Sequence, residues 1–508
     1  MSTNSRTKNS IKNSITGSAS QFISTILNFL VRTIFIYYLT EEYLGINGLF
    51  SNILYVLNFA ELGIGHAIVY KLYKPVAEDN KERIKSLINL YKKISIIIGF
   101  TIFILGISLI PFLEYIIKEP PKIKENLNLL YCLFLLETIG PYFFGYKRYL
   151  LLVNQKNYIN NIIELIFSIT KSILQILILV FTKNYILYLI IYITSTIFSN
   201  IYISIYINKK YPFLKEKNIE KIKREELREL WNNVKALFAY KIGNTVLSGT
   251  DNIILSMTSG ISAVGIYSNY SLIITAINKI LWTILTGLTG SIGNINATKT
   301  KEKQEETFNQ SLLISCILYG SGCVCLAVLL NPFITIWIGK KYILDELTIT
   351  IAVLVYYLRG ISYPADTYRD TLGLFNEGKF IPLICAIINI ILSFILGNKL
   401  GIKGVFLATI ISIIATTFWY MPKLIYKKIF NKSIIYFIKK ILIYTIPFII
   451  SYIISNKLIL LFNHNTIINF IIQTIITITC ISIITIAMLY HTDEFKKISK
   501  KILNAIIK

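Results

Sequence analysis

Charged side chains are scarce in this chain. Asp, Glu, Lys and Arg supply 16% of its 508 residues, where a soluble globular domain carries about 25%. That shortage argues against a water-soluble fold. Carboxylates are the scarcer sign, 27 against 52 Lys and Arg, which leaves a formal net charge of +25. The three histidines (His66, His464, His491) are too scattered to form a ligand cluster. The six cysteines all fall inside apolar blocks and read as small buried residues. Cys323 and Cys325 form C-x-C with no partner pair, so neither a metal nor another cofactor is expected. No G-x-x-x-x-G-K-[ST] occurs, and no loop is large enough for a nucleotide-binding or soluble catalytic domain. An ATPase is excluded on those grounds. A polymerase or lipid-dependent glycosyltransferase is disfavoured too, so the chain is not expected to be an enzyme. No nucleic-acid-binding motif interrupts the basic segments, and no nucleic-acid partner is expected.

What is present is apolar length. Hydrophobic residues make up 54% of the chain and gather in long blocks. About 20 apolar residues span a bilayer core as a helix. Lipid offers backbone groups no water, so a spanning segment must be helical or part of a closed barrel. Barrel strands would alternate over about 10 residues, and these blocks are longer and lack a period of two. The chain reads as an all-α polytopic membrane protein of about fourteen transmembrane helices. Its first block, about 15–39, is too long for a signal-peptide core and is not followed by a small-residue cleavage site. It is read as the first membrane helix.

Loop charge sets the expected orientation. With the N-terminus inside, about 37 basic residues fall in cytoplasmic segments and about 9 in external ones. The 2–3 loop holds Lys71, Lys74, Lys81, Arg83, Lys85, Lys92 and Lys93, and the 6–7 loop holds nine from Lys209 to Lys235. This predicts a multi-pass protein with both termini cytoplasmic. Within the 6–7 loop, Ile219, Ile222, Leu230, Trp231, Val234 and Phe238 fall near helical spacing, as in an interfacial amphipathic helix. An ordinary connector is the competing reading.

Equal span counts suggest two parallel six-helix repeats. Leu44-Gly45-Ile46 opens helix 2 and Val264-Gly265-Ile266 opens helix 8; Gly63-Ile64-Gly65 and Gly287-Leu288-Thr289-Gly290 follow them. The expected organisation is an N-terminal lobe over 1–210 and an amphipathic linker over 211–235. A C-terminal lobe over 236–430 follows, with two extra helices and a tail over 431–508. The two lobes, pseudo-symmetric, would surround a central cavity.

An ionisable side chain mid-helix costs about 2.5–3.5 kcal/mol, so such residues face a bundle interior or water. They are Arg32, Glu61, Glu137, Glu164, Lys171, Lys241, Asp251, Lys279, Arg359, Asp366 and Arg369. Arg32, Lys241, Lys279 and Arg359 form a candidate cationic, substrate-binding set. Glu61, Asp251 and Asp366 are candidates for coupling or gating. A structural Arg32–Asp251 ion pair is the competing reading for those two. Arg369 also suits a snorkelling anchor at a helix end. Glu164 and Lys171 lie seven apart, two turns along one face, and either a carrier pair or cavity residues would fit.

Several motifs carry a family resemblance. Thr250-Asp251-Asn252-Ile253-Ile254-Leu255-Ser256 and Val264-Gly265-Ile266-Tyr267-Ser268-Asn269-Tyr270 resemble helices 7 and 8 of bacterial polysaccharide export flippases of the Wzx type. Leu72-Tyr73-Lys74-Pro75-Val76-Ala77-Glu78, Tyr142-Phe143-Phe144-Gly145-Tyr146-Lys147-Arg148 and Asn154-Gln155-Lys156-Asn157-Tyr158 are similar to the same family. It belongs to the multidrug/oligosaccharidyl-lipid/polysaccharide (MOP) exporter superfamily. The resemblance implies alternating access and an undecaprenyl-pyrophosphate-linked oligosaccharide as cargo, moved to the outer leaflet of a bacterial cytoplasmic membrane for surface polysaccharides such as O-antigen. It also implies membrane lipid, H+ or Na+, and polysaccharide polymerase machinery as partners. The extra helices resemble the pair that helps form a lipid-tail groove in the lipid II flippase branch, though no motif in 438–489 matches. A cation-coupled multidrug exporter of the same fold is the alternative, disfavoured by the basic residues and kept open by Asp251 and Glu61.

Overall fold

A computed structural model describes residues 3–58, 64–216, 222, 224–372, 374, 377–461 and 466–506. No strand occurs among them. Contacts divide the chain into two compact units, Met1–Ser262 and Ala263–Lys508.

The first unit begins with α1 (Thr3–Tyr38), followed by α2 (Glu41–Leu57) and α3 (Ile64–Ala77). Then come α4 (Lys81–Ser108), the short α5 (Leu113–Ile116), α6 (Leu127–Phe144) and α7 (Tyr149–Val153). Two long helices, α8 (Asn157–Thr182) and α9 (Tyr185–Lys210), precede α10 (Arg224–Ser259). Side-chain caps start several of these helices where loops leave backbone N–H groups without partners. Asn80 accepts from the Arg83 N–H, Asn126 from Asn128 and Leu129, and Asn184 from Leu187. Around Phe35, Phe50, Tyr131 and Tyr185 a continuous core is buried. The seventh span, α10, packs on α2. Gly45 makes that end possible, because a Cβ there would lie 2.1 Å from the Ile261 carbonyl oxygen. Lys118 donates to the Thr258 carbonyl at 2.8 Å and ties down the same end.

The linker reading over 211–235 falls only partly on described residues, since 217–221 and 223 lie outside them. Pro212–Lys215 form a short 3-10 helix, and from Arg224 onward the segment runs without interruption into α10. No Gly or Pro stands between Arg224 and Lys241 to break it.

The second unit opens with α11 (Ile261–Thr286), whose first two residues fall in the first unit, and α12 (Thr289–Thr298). The long α13 (Lys301–Ile338) precedes α14 (Glu346–Ile361) and α15 (Tyr363–Thr371). The sequence continues through α16 (Ile381–Leu400), α17 (Ile402–Ala415) and α18 (Thr417–Lys428). It ends with α19 (Ile435–Ile459), α20 (Ile467–Leu489) and α21 (Asp493–Ile506). The extra pair, α19 and α20, packs on α13.

Among the described residues, 11 helices are long and apolar enough to cross a membrane. The three other expected positions, helices 2, 7 and 8, are filled by helices that miss those limits. Helix 2 corresponds to α2 and α3, of 17 and 14 residues, with 59–63 between them outside the described residues. Helix 7 is α10, which carries Lys241, Asp251 and many small polar residues. Helix 8 is α11 with α12, rich in Ser, Thr and Asn. Helices that face water need not be apolar all round.

Candidate functional site

In the second unit a tyrosine sets the spacing of two membrane helices. Tyr319 on α13 donates its hydroxyl to Asn278 Oδ1 on α11 at 2.9 Å. Its ring lies against Gly360 on α14, where a Cβ would fall 2.0 Å from ring carbons. Gly360 therefore has no tolerated replacement without movement of Tyr319. Lys279 follows Asn278, and Arg359 precedes Gly360. One ring thus brings the backbones that carry these two cations close together. Both cations are exposed, and neither makes an ion pair with a described residue. Lys279 lies inside α11, and Arg359, in the last turn of α14, falls midway along the apolar span Glu346–Thr371. An ammonium or guanidinium at that depth needs water or an anion, because lipid solvates neither.

Below this level α14 ends and α15 begins at Ser362–Tyr363, with Pro364 in the first turn of α15. Pro lacks the N–H that would continue the helix. Tyr363 hydrogen-bonds Thr289 at 2.7 Å, and Asn296 donates to Thr371 at 2.8 Å. These bonds join α12 to α15. Asp366 pairs with Arg369 at 3.4 Å, and Arg369 also reaches Asp370 at 2.6 Å. Arg369 is buried. The snorkelling reading of Arg369 is thus replaced by an ion-paired one, since two carboxylates compensate its burial. Asp366 is the partner of that cation.

The first unit arranges its charges differently. Arg32 on α1 is half-buried beside Tyr185 and Tyr188 of α9. A cavity of about 310 Å³ is lined by Asn47, Ser51, Asn58, Glu137, Tyr188 and Tyr192, among others. A second, of about 360 Å³, shares Asn58, Glu137 and Thr138 and reaches Arg148 and Asn200. Glu137 therefore stands between two polar spaces. Lys171 places its ammonium 4.6 Å from the centre of the Tyr192 ring, near enough to Glu137 for their charges to attract. Arg148 pairs with Glu164 at 2.8 Å and donates to Asn200 at 2.9 Å. Glu164 and Lys171 share a helix face but have different partners.

Asp251 on α10 is half-buried in this unit too. Glu61 lies outside the described residues, as does the side chain of Lys241. Lys279, Arg359 and Asp366 sit in the second unit, Arg32 and Asp251 in the first. Sequence reasoning missed Asn278 and Tyr319 as spacers, because one Tyr among 34 gives no signal. It named Glu137 and Lys171 as costly but had no basis for joining them. Among the described residues no three His, Cys, Asp or Glu side chains gather as a metal site. An apolar cavity of about 310 Å³ lies between α13, α14 and α19, lined by Gly320, Cys323, Tyr357, Phe448 and Tyr452 among others.

The family model described as polysaccharide biosynthesis protein matches residues 10–289, more than half of the chain. The chain belongs to the polysaccharide biosynthesis protein family. No curated protein matches it by sequence. Its fold is similar to that of the lipid II flippase MurJ in an inward closed conformation, with a TM-score of 0.68 at 17% identity, covering 93% of this chain and 98% of that one. It is also similar to an inward-facing multidrug resistance MATE family transporter of the MOP superfamily (TM-score 0.60, 13% identity, 77% of this chain and 91% of that chain). A mutant of the Vibrio cholerae MATE transporter VcmN gives 0.53 at 15% identity over 85% and 99%. The resemblance carried by the sequence motifs is borne out, and the family member is a multi-pass membrane protein with the MOP exporter fold. The solved structures that share this fold are described as a flippase and as transporters.

Proposed function

We propose that this family member is a flippase for a polyprenyl-(pyro)phosphate-linked oligosaccharide. It moves the repeat unit from the cytoplasmic to the outer leaflet of a bacterial cytoplasmic membrane by alternating access. The observation that carries this reading is the open pair of cations, Lys279 and Arg359, deep in membrane helices. A pyrophosphate cannot cross hydrocarbon unaided, and two uncompensated cations offer it charge-assisted hydrogen bonds. Arg presents a planar fork for phosphate, whereas Lys acts as a point charge. Arg32 and Lys241 complete the proposed cationic set, with Glu61, Asp251 and Asp366 in coupling or gating roles. The lysine distribution among the loops supports a cytoplasmic side for both termini. H+ or Na+ coupling and contact with polymerase machinery belong to the same proposal. The apolar cavity beside α19 is a candidate place for part of the lipid tail.

The second reading is a cation-coupled multidrug exporter. The acidic Glu137 between two polar cavities is the observation that favours it. Deletion in the native host separates the two. Lipid-linked repeat units accumulating on the cytoplasmic leaflet would support the flippase. Unchanged glycan export together with a gain in drug sensitivity would replace it with the exporter.

A further inference from the structure

Helix α11 presents two different exposed stripes. Thr275, Lys279, Trp282, Thr283 and Thr286 are all exposed and follow one another at i, i+4, i+7, i+8 and i+11, which places them on one face. Ile273, Ile277, Ile280 and Ile284 have helical spacing on another face, with Ile280 and Ile284 the most exposed. The isoleucine stripe suits lipid. The other stripe does not, because the Lys279 ammonium favours water or a polar ligand, while the Thr283 and Thr286 hydroxyls donate to the Lys279 and Thr283 carbonyls of their own helix. Trp282 lies on the threonine side. Its ring stands perpendicular to that of Tyr363, with centroids 4.9 Å apart, and 47% of the residue stays open. Tyr363 is itself buried and held by Thr289 at 2.7 Å. The indole is thus braced on one side by Tyr363 and accessible over about half of the residue, one turn from Lys279 and against the helix that follows Arg359.

An exposed indole on the Lys279 face of α11, packed on the helix that follows Arg359, has a specific chemical complement. The apolar C–H face of a pyranose ring stacks on an aromatic face while anionic groups nearby meet the cations. We propose that Trp282 is a platform for the sugar ring next to the pyrophosphate, and that it makes the site discriminate a glycosylated carrier from a bare one. This rests on the flippase reading above and goes beyond it by dividing the headgroup between two kinds of residue. Lys279 and Arg359 hold the phosphates, and Trp282 reads the sugar.

The test uses the full-length protein in lipid nanodiscs. Its affinity is measured for undecaprenyl pyrophosphate and for the same carrier bearing one pyranose: N-acetylglucosamine, glucose or galactose in turn. Trp282→Leu keeps bulk without a π face, and Trp282→Phe keeps a smaller face that can still meet Tyr363. The expected result is a loss of roughly 5- to 10-fold for at least one glycosylated carrier in Trp282→Leu. Trp282→Phe should recover most of it, and the bare carrier should bind all three proteins equally. Equal losses for glycosylated and bare carriers, or no loss for either, would overturn the platform. In that event Lys279→Ala/Arg359→Ala still tests the cationic reading separately, since it should weaken both carriers. Wild-type protein that binds none of the carriers would remove the flippase reading and the platform with it.

Discussion

The two units differ in the intramembrane cations they leave open, although the second also pairs Arg369 with Asp366 and Asp370. In the first, Lys171 faces Tyr192 and Glu137, and Arg148 holds Glu164. In the second, Lys279 and Arg359 stay exposed without an ion-pair partner among the described residues. Charge in low dielectric is tolerated when paired and costly when alone. The paired set is therefore already compensated by the protein, while the open set awaits compensation from elsewhere. That contrast separates groups suited to structure or ion coupling from groups suited to an anionic ligand.

The largest expected effect strikes the open set. Lys279→Ala/Arg359→Ala should abolish surface glycan export at normal protein levels. Arg359→Lys should restore it only in part, because Lys lacks the bidentate fork. Quantifying surface polysaccharide beside membrane protein abundance checks this. Full export in the double variant would erase the distinction between the units.

The paired set gives the next effect, with the opposite signature. Glu137→Gln leaves Lys171 with one less compensating charge, and Lys171→Met leaves Glu137 alone. Tyr192 still meets both groups, through a hydrogen bond to Glu137 and its ring against Lys171, so each variant should cost on the order of 1–2 kcal/mol, less than a lone charge in a membrane helix. The double variant should recover most of that loss, as expected for coupled neighbours. Thermal unfolding of the four proteins in detergent measures the coupling. Additive losses would mean that the two charges do not compensate each other.

These contrasts were only partly legible in the sequence. Apolar length and loop lysines revealed the membrane helices, because bilayer thickness and backbone hydrogen bonding leave few alternatives. Lys279 and Arg359 could be recognised as costly from their position alone. Their approach could not, because it depends on Tyr319 meeting Asn278 and Gly360 across three helices. The same limit hid the partners of Glu164 and Lys171, whose spacing places them on one helix face but leaves each to a different neighbouring helix.

The Tyr319 spacer can be disturbed directly. Gly360→Ala forces a methyl into space already occupied by the ring. Overpacking of this kind costs about 1–3 kcal/mol. Export should fall as well, because α11 and α14 would be pushed apart just where the cations stand. Tyr319→Ala in the Gly360→Ala background should relieve the clash and regain part of the lost stability. It should not regain export, since the Asn278 hydrogen bond is gone. Thermal unfolding and glycan export, measured on the same variants, separate these outcomes. A Gly360→Ala protein with normal stability and export would show that the spacing is not held by this contact.

The smallest effect is expected at an outer helix end. Asp345 caps α14, accepting from the Thr348 N–H at 3.0 Å and its hydroxyl at 2.7 Å, with Lys403 at 3.5 Å. Partial burial alone would raise the pKa of this carboxyl. The Thr348 hydrogen bonds and the Lys403 charge outweigh it and hold the carboxyl below its ordinary value. Such a group stabilises the folded state fully above the unfolded aspartate value of about 4. The contribution disappears as pH falls through the lower folded value. Asp345→Ala should cost about 1 kcal/mol at neutral pH, as for other lost caps. Wild type and variant should converge in stability as the medium is acidified below about pH 4. Because the cap lies far along α14 from Arg359, export at pH 7 should change little. A large export defect with only a small stability loss would mean that the outer end of α14 acts on the open cations, and would narrow the contrast between the two units.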